Sequence, residues 1–294
     1  MNAIEITGLS KTFKGKKGTR VEALKDLHLN VEQGEIFGFL GPNGAGKSTT
    51  IKTLMGLLRP GAGSASIMGS DIASPEARRQ VGYLPENPAF YDYLSAEEYL
   101  LFVGKMFSLP AGQLRERCDQ VLRQLELWDA RKRPLRSYSK GMVQRVGLAQ
   151  VLIHDPQVCI LDEPMSGLDP VGRALVKEIM LDLKSRGKCV FFSTHIISDV
   201  ESVCDRVGII LKGELQSVER VESIMARGVL GYHLSFREPG AQGTSELYVP
   251  KEDLSAAMGR LQASGSEITL IEPRRKSLED FFLEIVKGKS AGTP

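Results

Sequence analysis

One run of residues constrains this chain more than any other. Gly41-Pro42-Asn43-Gly44-Ala45-Gly46-Lys47-Ser48 fits the pattern GxxxxGK[ST]. It follows Ile36, Phe37, Phe39 and Leu40, an apolar run that reads as a buried strand. It opens a segment of helical spacing from Ser48 to Leu58 that is expected to end near Gly61. Glycines at these places let backbone N–H groups close around phosphate oxygens, and a helix starting near Gly46 points its positive end at the same oxygens. Lys47 is then placed to reach the β and γ phosphates, and the Ser48 hydroxyl to ligate Mg²⁺. The expected phosphate-binding set is Gly41, Pro42, Asn43, Gly44, Ala45, Gly46, Lys47, Ser48 and Thr49.

Further along, Val158-Cys159-Ile160-Leu161 is an apolar strand that ends in Asp162 and Glu163. Acidic residues often end strands, so this pair takes its meaning from the phosphate loop before it. Asp162 is expected to hold the Mg²⁺ shell with Ser48, and Glu163 to polarise an attacking water. Other apolar runs lie at residues 189–192 and 207–211, with helical spacing between them. Strands alternating with helices imply an α/β fold whose parallel sheet is covered on both faces. Leu27 to Val31 alternates like a half-buried strand.

From about 88 to 140 the pattern turns helical. Ser95-Ala96-Glu97-Glu98 forms a capping box ahead of Tyr99, Leu100, Val103, Met106 and Phe107. Leu114, Cys118, Val121, Leu122 and Leu125 make a second apolar stripe. After about residue 215 glycines and Pro239 punctuate short alternating runs, among them Gly228, Gly231, Gly240 and Gly243, and a last helix is expected over Leu278 to Val286. The boundaries are therefore 1–215 for a core domain and 216–294 for a small α+β accessory domain.

Ser139-Lys140-Gly141-Met142-Val143-Gln144-Arg145 resembles the signature motif of ATP-binding cassette (ABC) ATPases. Ser166-Gly167-Leu168-Asp169 resembles their D-loop, and Ser193-Thr194-His195 their switch histidine. With the phosphate loop and the Asp162-Glu163 strand end, the order and spacing of all these motifs match the family across residues 1–215. The resemblance implies a P-loop ABC ATPase core, with antiparallel strands near the N-terminus and a helical subdomain over about 88–140. It implies ATP and Mg²⁺ as cofactors and a head-to-tail pair, with itself or a homologous ABC subunit, enclosing two ATP. Ser139, Gly141 and Asp169 would serve the nucleotide of the opposite subunit, and His195 would act beside Glu163 in hydrolysis.

Three positions depart from the family pattern. Lys140 stands where a second glycine is usual, and Met142 where a glutamine is. This form resembles a branch that includes drug, lipid, polysaccharide and ion exporters. Glu86, in Gly82-Tyr83-Leu84-Pro85-Glu86, takes the place of the family's loop glutamine; its carboxylate can still meet an Mg²⁺-bound water. Phe13 is the candidate to stack on adenine. Ser277-Leu278-Glu279-Asp280 caps a helix that also resembles the exporter branch.

The net charge of +2 is too small for a nucleic-acid-binding surface, and nothing else points to nucleic acid. The four cysteines form no CxxC pair, so neither a zinc site nor a disulfide framework is indicated. The glycines and lysines of Lys14 to Arg20 read as a solvated loop. No apolar stretch is long enough for a membrane helix, and the N-terminus lacks a signal-peptide pattern. The expected place is the cytoplasmic face of the cell membrane, with a separate multi-spanning permease as partner. In the family the helical insert forms a groove for a short permease helix; Phe90, Tyr91, Tyr93, Leu94 and Tyr99 are its candidates here. The competing reading is a soluble ABC ATPase acting on ribosomes or nucleic acid. Those usually carry two cassettes, coiled coils or zinc modules, which this sequence lacks.

Overall fold

The computed structural model describes residues 1–15, 18–226, 229–240, 243–275 and 277–290. Lys16 and Lys17 of the basic loop, and Gly228, lie outside the described residues. The chain divides into two compact units, Met1–Val218 and Glu219–Pro294.

The first unit opens with β1 (Asn2–Lys14), β2 (Arg20–Glu32) and β3 (Ile36–Leu40), followed by α1 (Lys47–Leu54), β4 (Ala62–Ile67) and β5 (Ser70–Asp71). β1 pairs antiparallel with β2 and with β4, giving a sheet in the order β2-β1-β4-β5. β2 begins well before Leu27. Its first residues are exposed, so no alternation of burial advertises them. α1 stops at Leu54 rather than running to Leu58. Gly56, at φ +69°, donates to the Thr53 carbonyl, and Leu57 donates to that of Lys52. This left-handed cap satisfies the last carbonyls and turns the chain away.

Next come α2 (Pro75–Arg79), β6 (Val81–Leu84), α3 (Ala96–Met106), α4 (Ala111–Gln124), α5 (Lys140–Leu152), β7 (Val158–Asp162), α6 (Pro170–Ser185), β8 (Cys189–Thr194), α7 (Ile197–Val203), β9 (Arg206–Leu211) and β10 (Glu214–Arg220). The second sheet runs β10-β9-β3-β8-β7-β6, and β9, β3, β8, β7 and β6 are parallel. Lys212 and Gly213, at φ 50° and 82°, turn β9 directly back into β10.

Successive residues of the central strands feed opposite cores, as a sheet covered on both faces requires. Phe37, Phe39 and Phe191 pack with α1 and the antiparallel sheet, with Phe37 and Phe191 stacked at 5.8 Å. Ile36, Val190 and Phe192 face α5, α6 and the helical insert. Truncating a fully buried ring such as Phe191 costs about 3–5 kcal/mol. α3 starts with the expected capping box: Ser95 accepts from the Glu98 N–H, and the Glu98 carboxylate accepts from that of Ser95 at 2.9 Å. The cysteines are free thiols, and burial pushes those of Cys118 and Cys159 up to about 12.

The second unit contains α8 (Val221–Ala226), β11 (Val229–Arg237), β12 (Ser245–Pro250), α9 (Leu254–Ala263), β13 (Glu267–Arg275) and α10 (Leu278–Ser290). Its antiparallel sheet has the order β12-β11-β13, and Leu234, Val249 and Ala257 form its small core with α9. Ser277 caps α10 by exchanging hydrogen bonds with Asp280.

Candidate functional site

The turn from β3 into α1 walls a cavity of about 330 Å³, lined by Ala23, Pro42 to Thr49, Glu86 and Glu163. Two glycines are required by geometry. A Cβ on Gly41 would sit 2.4 Å from the Ile210 carbonyl oxygen, and Gly46 is at φ +115°, where a Cβ would meet the Ala23 carbonyl oxygen at 2.7 Å. Among the described residues no side chain caps the first turn of α1, which leaves its N–H groups to a ligand. Lys47 is buried. Its Nζ donates to the Gly41 carbonyl at 2.6 Å and lies 3.4 Å from Glu163 Oε1.

The ends of β7 and β8 supply the acidic side. Asp162 is 1% exposed; Ser48 Oγ donates to its Oδ1 at 3.3 Å, and Ser193 Oγ at 2.5 Å. Glu163 adopts φ +49°, which costs a non-glycine residue about 1–2 kcal/mol. Its N–H donates to both the carbonyl and the hydroxyl of Ser193, at 3.2 and 3.1 Å. This turn brings the Glu163 carboxylate against Lys47 and against His195, whose Nδ1 is 3.0 Å from each carboxylate oxygen. Beside them Tyr83 is held protonated: burial first, and the Asp162 charge second, push its hydroxyl up to about 12.

Ser139, Gly141 and Asp169 come together elsewhere on the unit. Ser139 caps α5 by accepting from the Met142 N–H, and Asp169 caps α6 by accepting from that of Gly172. Gly141 faces Leu168, the Lys140 chain lies against Gly167, and Gln144 Nε2 donates to the Pro164 carbonyl at 3.0 Å. None of the three lines the cavity. Phe13 does not line it either; its ring is exposed under the Lys11 ammonium, 5.4 Å away. Ala23 gave no signal in the sequence, and Ser193 stood there only as the first residue of the switch motif, with no role of its own. A hydroxyl directly after the apolar run Val190-Phe191-Phe192 was the available signal for Ser193.

A groove of about 600 Å³ lies beside α3. Phe90, Tyr91 and Tyr99 line it with Phe102, Met106 and Phe107; Tyr93 meets Tyr91 outside that lining, and Leu94 packs against the core instead. Arg78 and His154 also line it.

Residues 24–166 match the ABC transporter family. An uncharacterized ABC transporter ATP-binding protein of Synechocystis is 39% identical over 99% of this chain and 87% of its own length. This chain belongs to the ABC transporter ATP-binding proteins. The bacitracin transport ATP-binding protein BcrA of Bacillus licheniformis is 32% identical over 98% of this chain and 99% of its own. Among solved structures, cbiO1 from Clostridium perfringens, part of the ABC transporter complex cbiONQ, superposes with a TM-score of 0.65. It is 28% identical and covers 76% of this chain and 91% of its own. As an ABC ATPase the chain binds ATP and hydrolyses it for transport. The donor chemistry also fits Mg²⁺, which prefers oxygen ligands and keeps phosphates and waters in its shell. Ser48 and Asp162 offer such oxygens, and no group of three or more His, Cys, Asp or Glu among the described residues holds a metal unaided. No helix among the described residues is long and apolar enough to cross a membrane.

Proposed function

We propose that this chain drives an exporter, as one of a pair of cassettes that close head-to-tail on two ATP at the cytoplasmic face of the membrane. The observation that carries the catalytic part is the convergence of Lys47, Glu163 and His195 at one end of the parallel sheet, over a cavity whose loop is open to phosphate. The residues of Gly41 to Thr49 bind the phosphates through backbone N–H groups and the Lys47 ammonium. Ser48, Asp162 and Glu86 hold the metal shell; bound Mg²⁺ neutralises phosphate charge. Glu163 accepts the proton of the attacking water, and His195 orients that carboxylate and contacts the γ-phosphate. Phe13, on the hairpin whose Ala23 lines the cavity, supplies the aromatic face for adenine.

The pairing is supported by Ser139, Gly141 and Asp169. They form one cluster outside their own subunit's cavity, so they are available to the nucleotide of a second copy or a homologous subunit. The groove beside α3, with Tyr91 55% exposed, suits a short permease helix. Export is supported by the full-length likeness to a bacitracin transport subunit. Residues from 216 onward contribute to pairing or regulation and supply no catalytic group. The test is purification of the native protein from membranes. A multi-spanning partner is expected to co-purify, and the aromatic variant Tyr91→Asp to lose it. Recovery with ribosomes or DNA, and no membrane partner, would replace this reading with the soluble one.

A further inference from the structure

We infer that Ser193 is a positioning residue for hydrolysis, its hydroxyl locking the Asp162 and Glu163 carboxylates into one fixed arrangement. The inference rests on the reading that these two carboxylates serve Mg²⁺·ATP.

Ser193 is fully buried and faces Asp162 across the β7–β8 pair. A hydroxyl has one proton to give and lone pairs to accept with. Here the proton goes to Asp162 Oδ1 at 2.5 Å, and the oxygen accepts the Glu163 N–H at 3.1 Å. One side chain thus grips both members of the acidic pair, one by its carboxylate and the other by its backbone.

Each grip has a separate consequence. Ser48 donates to the same Asp162 Oδ1 at 3.3 Å, so both hydroxyls load one oxygen, and no donor among the described residues reaches Oδ2. The carboxylate plane is thereby set, with Oδ2 left for the shell of a metal. At Glu163 the left-handed backbone is anchored by its N–H on the Ser193 oxygens. That conformation aims the carboxylate at Lys47 and His195. His195 lies two residues beyond Ser193, so the same strand end carries the hydroxyl that holds the acidic turn and the imidazole that faces it. A hydroxyl serving only to fill the core would have no need to meet two groups of the site at once.

The test compares wild type with Ser193→Ala and Ser193→Thr in the full-length protein. Four quantities are read: turnover per folded molecule, the Mg²⁺ concentration for half-maximal rate, Mn²⁺ binding to the complex with a non-hydrolysable ATP analogue by electron paramagnetic resonance, and metal-free binding of that analogue. Ser193→Ala should lower turnover and Mn²⁺ affinity by about 10–100-fold, as loss of a group supporting a metal ligand does, and leave metal-free nucleotide binding unchanged. Ser193→Thr keeps the hydroxyl and should restore most of both; if its extra methyl prevents folding, the alanine data decide alone. A folded Ser193→Ala with wild-type turnover and Mn²⁺ affinity overturns the inference. So does a variant that is merely less stable, with both quantities unchanged per folded molecule. Wild-type protein without Mg²⁺-dependent ATPase activity would instead overturn the underlying reading.

Discussion

Mild acid should destabilise the first unit through His154, by an amount set by its surroundings. The residue follows α5, and its ring stacks on Phe107 with centroids 3.7 Å apart and planes within 7°. Nε2 lies 3.2 Å from the Val81 carbonyl oxygen, so Nε2 carries the proton of the neutral ring; Nδ1 is buried without a partner among the described residues. Burial lowers the imidazole from 6.5 to about 4, against the upward pull of the Val81 bond and of Asp155; Arg117 and Lys188 push it further down. The unfolded chain takes its proton near 6.5 and the folded protein only near 4. Between those values the unfolded state binds more protons, so stability is fully present above 6.5 and falls as pH falls. Linkage puts the loss at about 2 kcal/mol by pH 5 relative to pH 7.5. His154→Phe keeps an aromatic ring against Phe107 and gives up the bond to Val81, at a cost of about 1 kcal/mol. Urea unfolding followed by Trp128, the only tryptophan, should show the variant less stable than wild type at pH 7.5 and more stable at pH 5. Taking the difference between the proteins cancels the other titrating groups. Parallel curves over that range would refute the assigned environment of His154.

Lys47→Ala should weaken ATP binding about 10–100-fold, because it removes the charged hydrogen bonds of a buried ammonium; unchanged affinity by calorimetry would remove Lys47 from the phosphate site. Glu86→Gln should retain substantial turnover, since the amide oxygen can still accept from a metal-bound water, whereas Glu86→Ala should lose rate or coupling. Wild-type ATPase and transport in both variants would dismiss Glu86. Truncation after Val218, the end of the first compact unit, should leave nucleotide binding measurable. A folded truncation unable to bind ATP would contradict the proposed division of labour.

The parts of the site legible in the sequence were those with local causes. The phosphate loop could be read because Gly41 and Gly46 occupy places where a Cβ collides with backbone. Asp162 and Glu163 could be read because an apolar strand ends in them, and Ser95 because its capping partner is three residues away. What stayed hidden depends on chain neighbours far apart in sequence, or on backbone angles. The Ser193 hydroxyl gains its meaning only when β8 lies beside β7. The left-handed turn of Glu163 is invisible in a residue type that rarely adopts it. The early stop of α1 turns on Gly56, a residue type that favours such a cap, but the apolar spacing carries on past it to Leu58 and masked the signal. The meeting of Ser139, Gly141 and Asp169 at one surface was reachable through family resemblance alone, since no periodicity brings those loops together.

Hydrolysis at this site turns most on Glu163 as the group that activates water. The direct measurement is single-turnover ATP hydrolysis by Glu163→Gln, alongside ATP binding and sedimentation of the same sample with Mg²⁺·ATP. The substitution keeps the size of the side chain and the backbone bonds to Ser193, but removes the basic carboxylate between Lys47 and His195. Hydrolysis should fall by about 10²–10⁴, the usual contribution of a positioned base. ATP should still bind, and ATP-bound dimers should accumulate. A Glu163→Gln protein that hydrolyses ATP at the wild-type rate would contradict the account at its centre.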